Sequence, residues 1–416
     1  MQRLLHDMRR SLASPSRTPR MATVLGRLLG LAFVVCFATG LYSHFLQDPL
    51  PWMHFATRPT WLYQVSQGIH ITAGIVCFPL ILGKLYVVFP ELFQSPPVRS
   101  FPHFLERASI ALFVAASLVQ ITIGLLNTFQ LYALFPFPFR QTHWALSFVV
   151  IGSLAIHIGV KLPVIAKHWR KKPERVARQL TFSTGGAPKA PATATRGVTG
   201  RVFAWIDQTP GQHPSPADAR TSRRGFLATI AVASAALVAL TAGQSFRVLD
   251  FANAFGPRKM GTGPSGVPIN RTAEAADVLT TANAANWTLT VTNGDRSMLF
   301  SRDDLLAMQQ YTVRLPIACV EGWSQWATWR GPRMRDLADL VGAGPDVYFR
   351  ATSLEQDSIY AVMEMGPEFV RDELTLVALE LNGDVLDIDH GYPARMIAPA
   401  RPGVLQTKWL SSLEVI

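Results

Sequence analysis

The residues best suited to chemistry form one stretch, Cys319-Val320-Glu321-Gly322-Trp323-Ser324-Gln325-Trp326, continued by Trp329-Arg330-Gly331-Pro332. The cysteine closes a strand-like run, residues 311–318, and opens a Gly- and Trp-rich loop, which predicts a thiol at a strand terminus facing a cleft. A lone cysteine is more often a small buried hydrophobe than a reactive group. The chain has three cysteines, and the other two, Cys36 and Cys77, lie inside apolar runs. Cys319 therefore has no disulfide partner in its own domain, and an unpaired thiol in an exported domain points to a metal ligand or a nucleophile. A thiol nucleophile wants a histidine base, and His390 is the only histidine after residue 250.

Two further motifs follow in order: Asp389-His390-Gly391-Tyr392-Pro393-Ala394-Arg395 and Lys408-Trp409-Leu410. Alone, Arg395 and Lys408 would read as surface cations. Together with the cysteine stretch they resemble the molybdopterin-dependent oxidoreductases of the sulfite-oxidase fold, most nearly the bacterial periplasmic methionine-sulfoxide reductase catalytic subunit, over residues 265–416. The resemblance implies that Cys319 binds molybdenum through its thiolate, as a soft donor suits. It also implies that His390, Arg395 and Lys408 cradle the phosphate-bearing pterin, with Asn270, Thr352, Gln406 and Thr407 beside them. Ala400-Arg401-Pro402 departs from the relatives' aromatic, Gly-rich loop and is expected to border the metal site. No immunoglobulin-like dimerisation domain follows, so a monomer is expected.

Histidines inside apolar runs are the other candidates, because ionisable groups are costly in lipid. His70 lies near the outer end of the second run and His143 opens the fourth on the same side, which suits two imidazoles facing each other across a b-type haem. His157 follows His143 by 14 residues, about 40° round the helix and roughly 21 Å along it, a spacing suited to stacked haems. The arrangement resembles the four-helix cytochrome b anchors of respiratory oxidoreductases. In those anchors an inner haem draws a histidine from the cytoplasmic half of the first helix. This chain has none there, so one haem is expected and His157 has no evident partner. His44, His54 and His103 read as interfacial residues.

Elements must carry these groups. The chain has 416 residues, 49% of them hydrophobic, and a net charge of +11. Residues 250–416 hold 14 Lys/Arg and 21 Asp/Glu, so the positive charge sits in the first 249 residues. There the basic residues flank apolar runs instead of forming a folded basic face, which excludes a nucleic-acid partner. Apolar runs at 24–46, 65–89, 108–129 and 144–166 are long enough for a bilayer core of about 30 Å, and a shorter one covers 226–243. With a cytoplasmic N-terminus, only Arg58, Arg140 and Arg247 of the basic residues before 250 fall outside, which is the positive-inside pattern.

The expected fold is therefore a membrane α-helical bundle of four helices plus a fifth, tethering helix, followed by an α+β domain of the sulfite-oxidase fold that binds molybdopterin. The expected divisions are a basic cytoplasmic tail (1–23), a cytochrome b-like bundle (24–166), a disordered linker (167–221), a tether (222–246) and an extracytoplasmic catalytic domain (247–416). Ser222-Arg223-Arg224-Gly225-Phe226-Leu227 matches the twin-arginine export signature, which carries folded cargo. In the catalytic domain, hairpin, helix and strand signals are expected at 287–295, 302–309, 335–341, 346–350, 374–381, 394–397 and 412–416.

The joint reading is a cell-membrane enzyme that takes electrons from quinol through haem to molybdenum and reduces an S-oxide or N-oxide, with protein methionine sulfoxide as the substrate the resemblance implies. Sulfite oxidation into the quinone pool is the reverse reading, and a non-catalytic binding module on a haem anchor is an alternative of another class.

Overall fold

The computed structural model describes residues 16–89, 98–169 and 223–416. Most of the expected linker, most of the basic tail and Ser222 of the twin-arginine stretch lie outside these residues.

Among the described residues, five helices are long and apolar enough to cross a membrane, with mean hydropathies of 2.0–2.2. They are α1 (Pro19–Gln47), α2 (Leu62–Val88), α3 (Phe101–Thr128), α4 (Phe139–His168) and α5 (Arg223–Thr241). Each begins or ends a few residues beyond its apolar run, because flanking basic and aromatic residues continue the helix after the lipid-compatible segment stops. Leu31 and Leu162 are exposed, as expected of side chains whose solvent is hydrocarbon. Pro79 and Pro163 lie inside α2 and α4, where neighbouring helices tolerate them.

The remaining chain folds as a mixed α+β body. After a short helix α6 (Leu279–Ala282) come β1 (Thr288–Asn293) and β2 (Arg296–Ser301), joined by a two-residue Gly294-Asp295 turn that pairs Asn293 with Arg296. Ser301 caps α7 (Arg302–Ala307) in a reciprocal capping box with Asp304. Then follow β3 (Tyr311–Ala318), β4 (Ser324–Gly331), α8 (Met334–Leu340), β5 (Phe349–Ser353), β6 (Val362–Met365) and α9 (Pro367–Val370). The last strands are β7 (Leu376–Ala378), β8 (Glu380–Leu381), β9 (Asp384–Val385), β10 (Arg395–Ile397) and β11 (Leu410–Val415).

A five-stranded sheet has the order β2-β1-β11-β5-β6, with β1 and β11 parallel. A four-stranded sheet runs β3-β4-β8-β9, and β7 pairs with β10. The first sheet buries Leu289, Val291, Phe349, Ala351, Leu410 and Leu413 in one core. The second buries Leu315, Trp329, Leu381 and Cys319 in another. The helix and strand signals fall within about three residues of observed elements, while β4, β6, β9, α6 and α9 carry no strand or helix signal of their own.

Contacts divide the chain into two compact units. The described residues of Met1–Leu29, Leu80–Val114 and Gly152–Val232 form one, where Lys161 pairs with Glu106 and Tyr86 packs on Phe226 at 5.2 Å. Gly30–Pro79, Ala115–Ile151 and Ala233–Ile416 form the other. That second unit contains His70, His143 and the whole cysteine stretch.

Candidate functional site

Cys319 stands at the turn of the β3–β4 hairpin, one residue past the Ala318–Ser324 pair. Its N–H donates to the Trp323 carbonyl at 2.9 Å, and the Gly322 N–H donates back to the Cys319 carbonyl at 3.0 Å. This tight loop needs Gly322 at φ +97°, a conformation that L side chains rarely adopt. The thiol is buried and lines a cleft together with Asn270, Arg395, Gln406, Thr407 and Lys408. Burial, and then the Glu321 carboxylate, push the thiol well above its ordinary pKa. A thiol so raised is a poor nucleophile, and a bound soft cation is what would favour its thiolate.

The opposite wall carries two buried cations, and the one carboxylate lining the cleft, Glu355, is paired with Arg271. Arg395 donates to the carbonyls of His390 at 3.0 Å and Gln406 at 3.2 Å, and stacks 5.1 Å over Trp329. Lys408 donates to the carbonyls of Arg271 and, at 2.9 Å, Asp389. Burial lowers Arg395 to about 9, and burial followed by the neighbouring Arg395 charge lowers Lys408 to about 7. Neither cation forms an ion pair among the described residues. Arg395 Nε, Gln406 Oε1 and Thr407 Oγ1 are buried without a hydrogen-bond partner. An unspent guanidinium donor, a hydroxyl and an amide acceptor beside unpaired cations are a receptor for an anionic, hydrogen-bonding ligand, so a phosphate-bearing pterin fits these residues.

Three expectations take a different place. Thr352 shares the outer face of β5 with Arg350, and the cleft is lined instead by Ser353. The His390 ring does not line the cleft: its Nε2 lies 3.0 Å from both the Pro264 and Val267 carbonyls, tying the segment before Asn270 to the His-Gly-Tyr-Pro turn. Arg401 turns away to the Glu364 carbonyl and the Phe369 ring, so Gly403 and Val404 border the cleft in its stead. Gly391 has a clear task. At φ +108° its missing Cβ would sit 2.9 Å from Lys408 Cβ, so only glycine lets the two motifs close together.

Burial first, then the charges of Arg395 and Lys408, lower His390 from 6.5 to about 4. The unfolded chain therefore binds this proton more readily than the folded one. Stability should be full above pH 6.5 and fall by about 3 kcal/mol as the pH drops to 4. Denaturant titrations at several pH values should show this slope, and His390→Gln should flatten it. An unchanged slope in the variant would assign the acid sensitivity to other groups.

The histidine pair lies in the same unit. The rings of His70 and His143 have centroids 6.2 Å apart, inclined at 67°. Two metal–nitrogen bonds of about 2 Å plus half a ring at either end give a separation of that order. His70 Nδ1 is 2.9 Å from the Cys36 carbonyl and 3.2 Å from Thr39 Oγ1, which leaves Nε2 for a metal. The two histidines line a cavity of about 1120 Å³. Gly40 and Gly124 line it too, and a Cβ there would approach the His70 and His143 rings at 3.1 and 3.5 Å. A haem fits such a space.

His157 belongs to the other unit, where its ring lies nearly parallel to Phe113. His44 stacks on Trp144 at 3.5 Å, His54 faces Glu368 at 3.6 Å, and His103 accepts from the Arg99 N–H. Among the described residues no three His, Cys, Asp or Glu side chains converge as a metal cluster.

The cavity reaches the cleft. Asn270, Arg271, Ser358, Tyr360 and Val404 line both, and Val320 and Glu321, directly after the cysteine, line the cavity. Gln130 joins the two regions by donating to the Asn270 carbonyl at 2.7 Å and to Glu321, while Arg258 donates to its oxygen at 2.8 Å. Gln64, Gln67, Asn127 and Gln130 were not foreseen, because their partners lie 140–260 residues away in sequence.

Comparison with known proteins matches both parts of the chain to families. Residues 275–416 match the family described as Oxidoreductase molybdopterin binding domain, and residues 17–197 match Prokaryotic cytochrome b561. The chain joins a membrane cytochrome b to a molybdopterin oxidoreductase domain. The C-terminal segment is an oxidoreductase domain by class, and molybdopterin and haem b are the cofactors of the two matched parts. YuiH of Bacillus subtilis, an uncharacterised oxidoreductase, is 29% identical over 121 residues, which are 29% of this chain and 60% of YuiH. The mitochondrial sulfite oxidase of Drosophila melanogaster is 26% identical over 159 residues, 32% of this chain and 28% of that protein. YedZ1 of Azospira oryzae, named as a protein-methionine-sulfoxide reductase subunit, is 28% identical over 116 residues, 27% of this chain and 42% of YedZ1. The chain thus spans less than two thirds of the length of each of these relatives.

Proposed function

We propose that this fusion carries electrons from membrane quinol through one haem, held by His70 and His143, to molybdenum bound by Cys319, and there reduces an S-oxide or N-oxide outside the cytoplasm. The observation that carries the reading is the shared lining of the two cavities, since the residues after Cys319 reach the space beside the histidine pair. When bound, molybdenum supplies two-electron oxygen-atom exchange and haem supplies one-electron carriage. The chain's own part is to hold them. Arg395, Lys408, Thr407, Gln406 and Asn270 grip the pterin, and buried Trp323 and Trp329 shield the thiol side from water.

Protein methionine sulfoxide is the proposed substrate, following the sequence resemblance and the name of YedZ1. The charge distribution supports a cytoplasmic N-terminus and an extracytoplasmic catalytic domain. Arg223 and Arg224 at the start of α5 support export by the twin-arginine translocase, which accepts a domain already loaded with its cofactor. The protein is proposed to act as a monomer.

The test is quinol oxidation by the purified protein in detergent with methionine sulfoxide, dimethyl sulfoxide or trimethylamine N-oxide as acceptor, beside quinone reduction with sulfite as donor. Turnover with an oxide acceptor is expected. Turnover with sulfite alone would reverse the direction and overturn the reductase reading.

A further inference from the structure

Building on that reading, we propose that Gln67 is the positioning residue that couples the haem to the molybdenum: its amide links the helix carrying His70 to the loop carrying Cys319. Gln67 and His70 lie three residues apart on α2, on one face. Gln67 Nε2 donates to the Val320 carbonyl at 3.0 Å, and Val320 is bonded directly to Cys319. From the backbone of His70 to the ligand sulfur, one hydrogen bond is the only non-covalent gap. The contact is enclosed, with Gln67 7% exposed and lining the cavity of the histidine pair.

Among the described residues, no other bond onto this loop links α2 to the residue next to the cysteine, and Gln130 reaches only the Glu321 side chain of the loop, from beyond the end of α3. Asn127 Nδ2 reaches the same carbonyl at 3.4 Å, a longer contact from α3. Gln244 and Ser245 donate to the carbonyls of Glu321 and Gly322 from the tether. Gln64, one turn before Gln67 on α2, donates to Ser324 Oγ at 3.0 Å, beyond the cysteine. Gln64 therefore docks the same helix to the same hairpin without lying between His70 and Cys319, which makes it the control. The transfer moves one electron between the two centres, with no bond made or broken. What the protein must supply is a short, fixed chain of atoms, and Gln67 closes it.

Flash photolysis tests this without any substrate: a photoreduced flavin delivers one electron to the full-length, cofactor-loaded protein, and its redistribution between haem and molybdenum is followed by haem absorbance. Gln67→Leu and the near-isosteric Gln67→Met are expected to slow redistribution at least about tenfold relative to wild type and to Gln64→Leu. The haem spectrum, haem content and molybdenum content should stay at wild-type levels. Equal slowing in Gln64→Leu, an unchanged rate in both Gln67 variants, or loss of haem or molybdenum in both would overturn the proposal. A wild-type protein showing no redistribution would overturn the functional reading itself.

Discussion

Replacing Cys319 by serine is expected to abolish oxide reduction while leaving the reduced haem spectrum unchanged. Serine keeps the shape of the side chain and the hairpin turn, which is closed by backbone hydrogen bonds of residues 319, 322 and 323 that do not involve the thiol. What it removes is a soft, polarisable donor, and a hydroxyl is a poor substitute for a thiolate at molybdenum. A loss of at least ~100-fold in turnover is expected, the upper end of what supporting residues around metal sites cost, since this residue would be the ligand itself. Metal analysis separates the outcomes. Molybdenum still bound through its pterin, with an altered electronic spectrum and no turnover, supports ligation by Cys319. Unaltered turnover returns the cysteine to a packing role.

Replacing His143 by alanine is expected to remove the b-type haem bands and stop quinol-driven turnover. A reduced dye that reaches the cleft directly should still support oxide reduction near the wild-type rate. His70→Ala should behave in the same way, because each ring offers one nitrogen to the space between them. His157→Ala should leave the spectrum intact, since its ring lies against Phe113. A spectrum lost equally in His157→Ala would point to a haem in the other unit and sink the assignment of a single His70–His143 site. Quinol-driven turnover surviving in His143→Ala would remove haem from the electron path.

Much of this was legible in the sequence, for local reasons. The five apolar runs announce helices because length and hydropathy decide membrane spans directly. The run before Cys319 is strand-like over the residues that form β3, and Gly294-Asp295 marks the β1–β2 hairpin. The misreadings have physical causes. Ser324–Gly331 looked like loop because Gly and Trp punctuate it, yet pairing with β3 and β8 makes it a central strand and buries Trp329. Thr352 was misplaced because a motif names a neighbourhood while strand parity chooses the face, and one residue of register separates it from Ser353. His390 was assigned by its motif, but its ring serves two backbone carbonyls. The amide side chains joining α2 and α3 to the cysteine loop carry no local signature, since glutamine and asparagine are unremarkable at helix ends.

The unpaired cations of the cleft bear on how the protein is made. Arg395 and Lys408 are buried together, the Arg395 charge lowers the proton affinity of Lys408, and the Glu355 and Asp389 carboxylates offset this only in part. Folding around an empty cleft therefore leaves electrostatic repulsion in the finished domain, and an arriving anion relieves it by binding the folded state alone. Cofactor binding and the stability of the folded domain are thereby coupled. A translocation route that accepts only compact cargo would then discriminate loaded from unloaded protein without inspecting the metal.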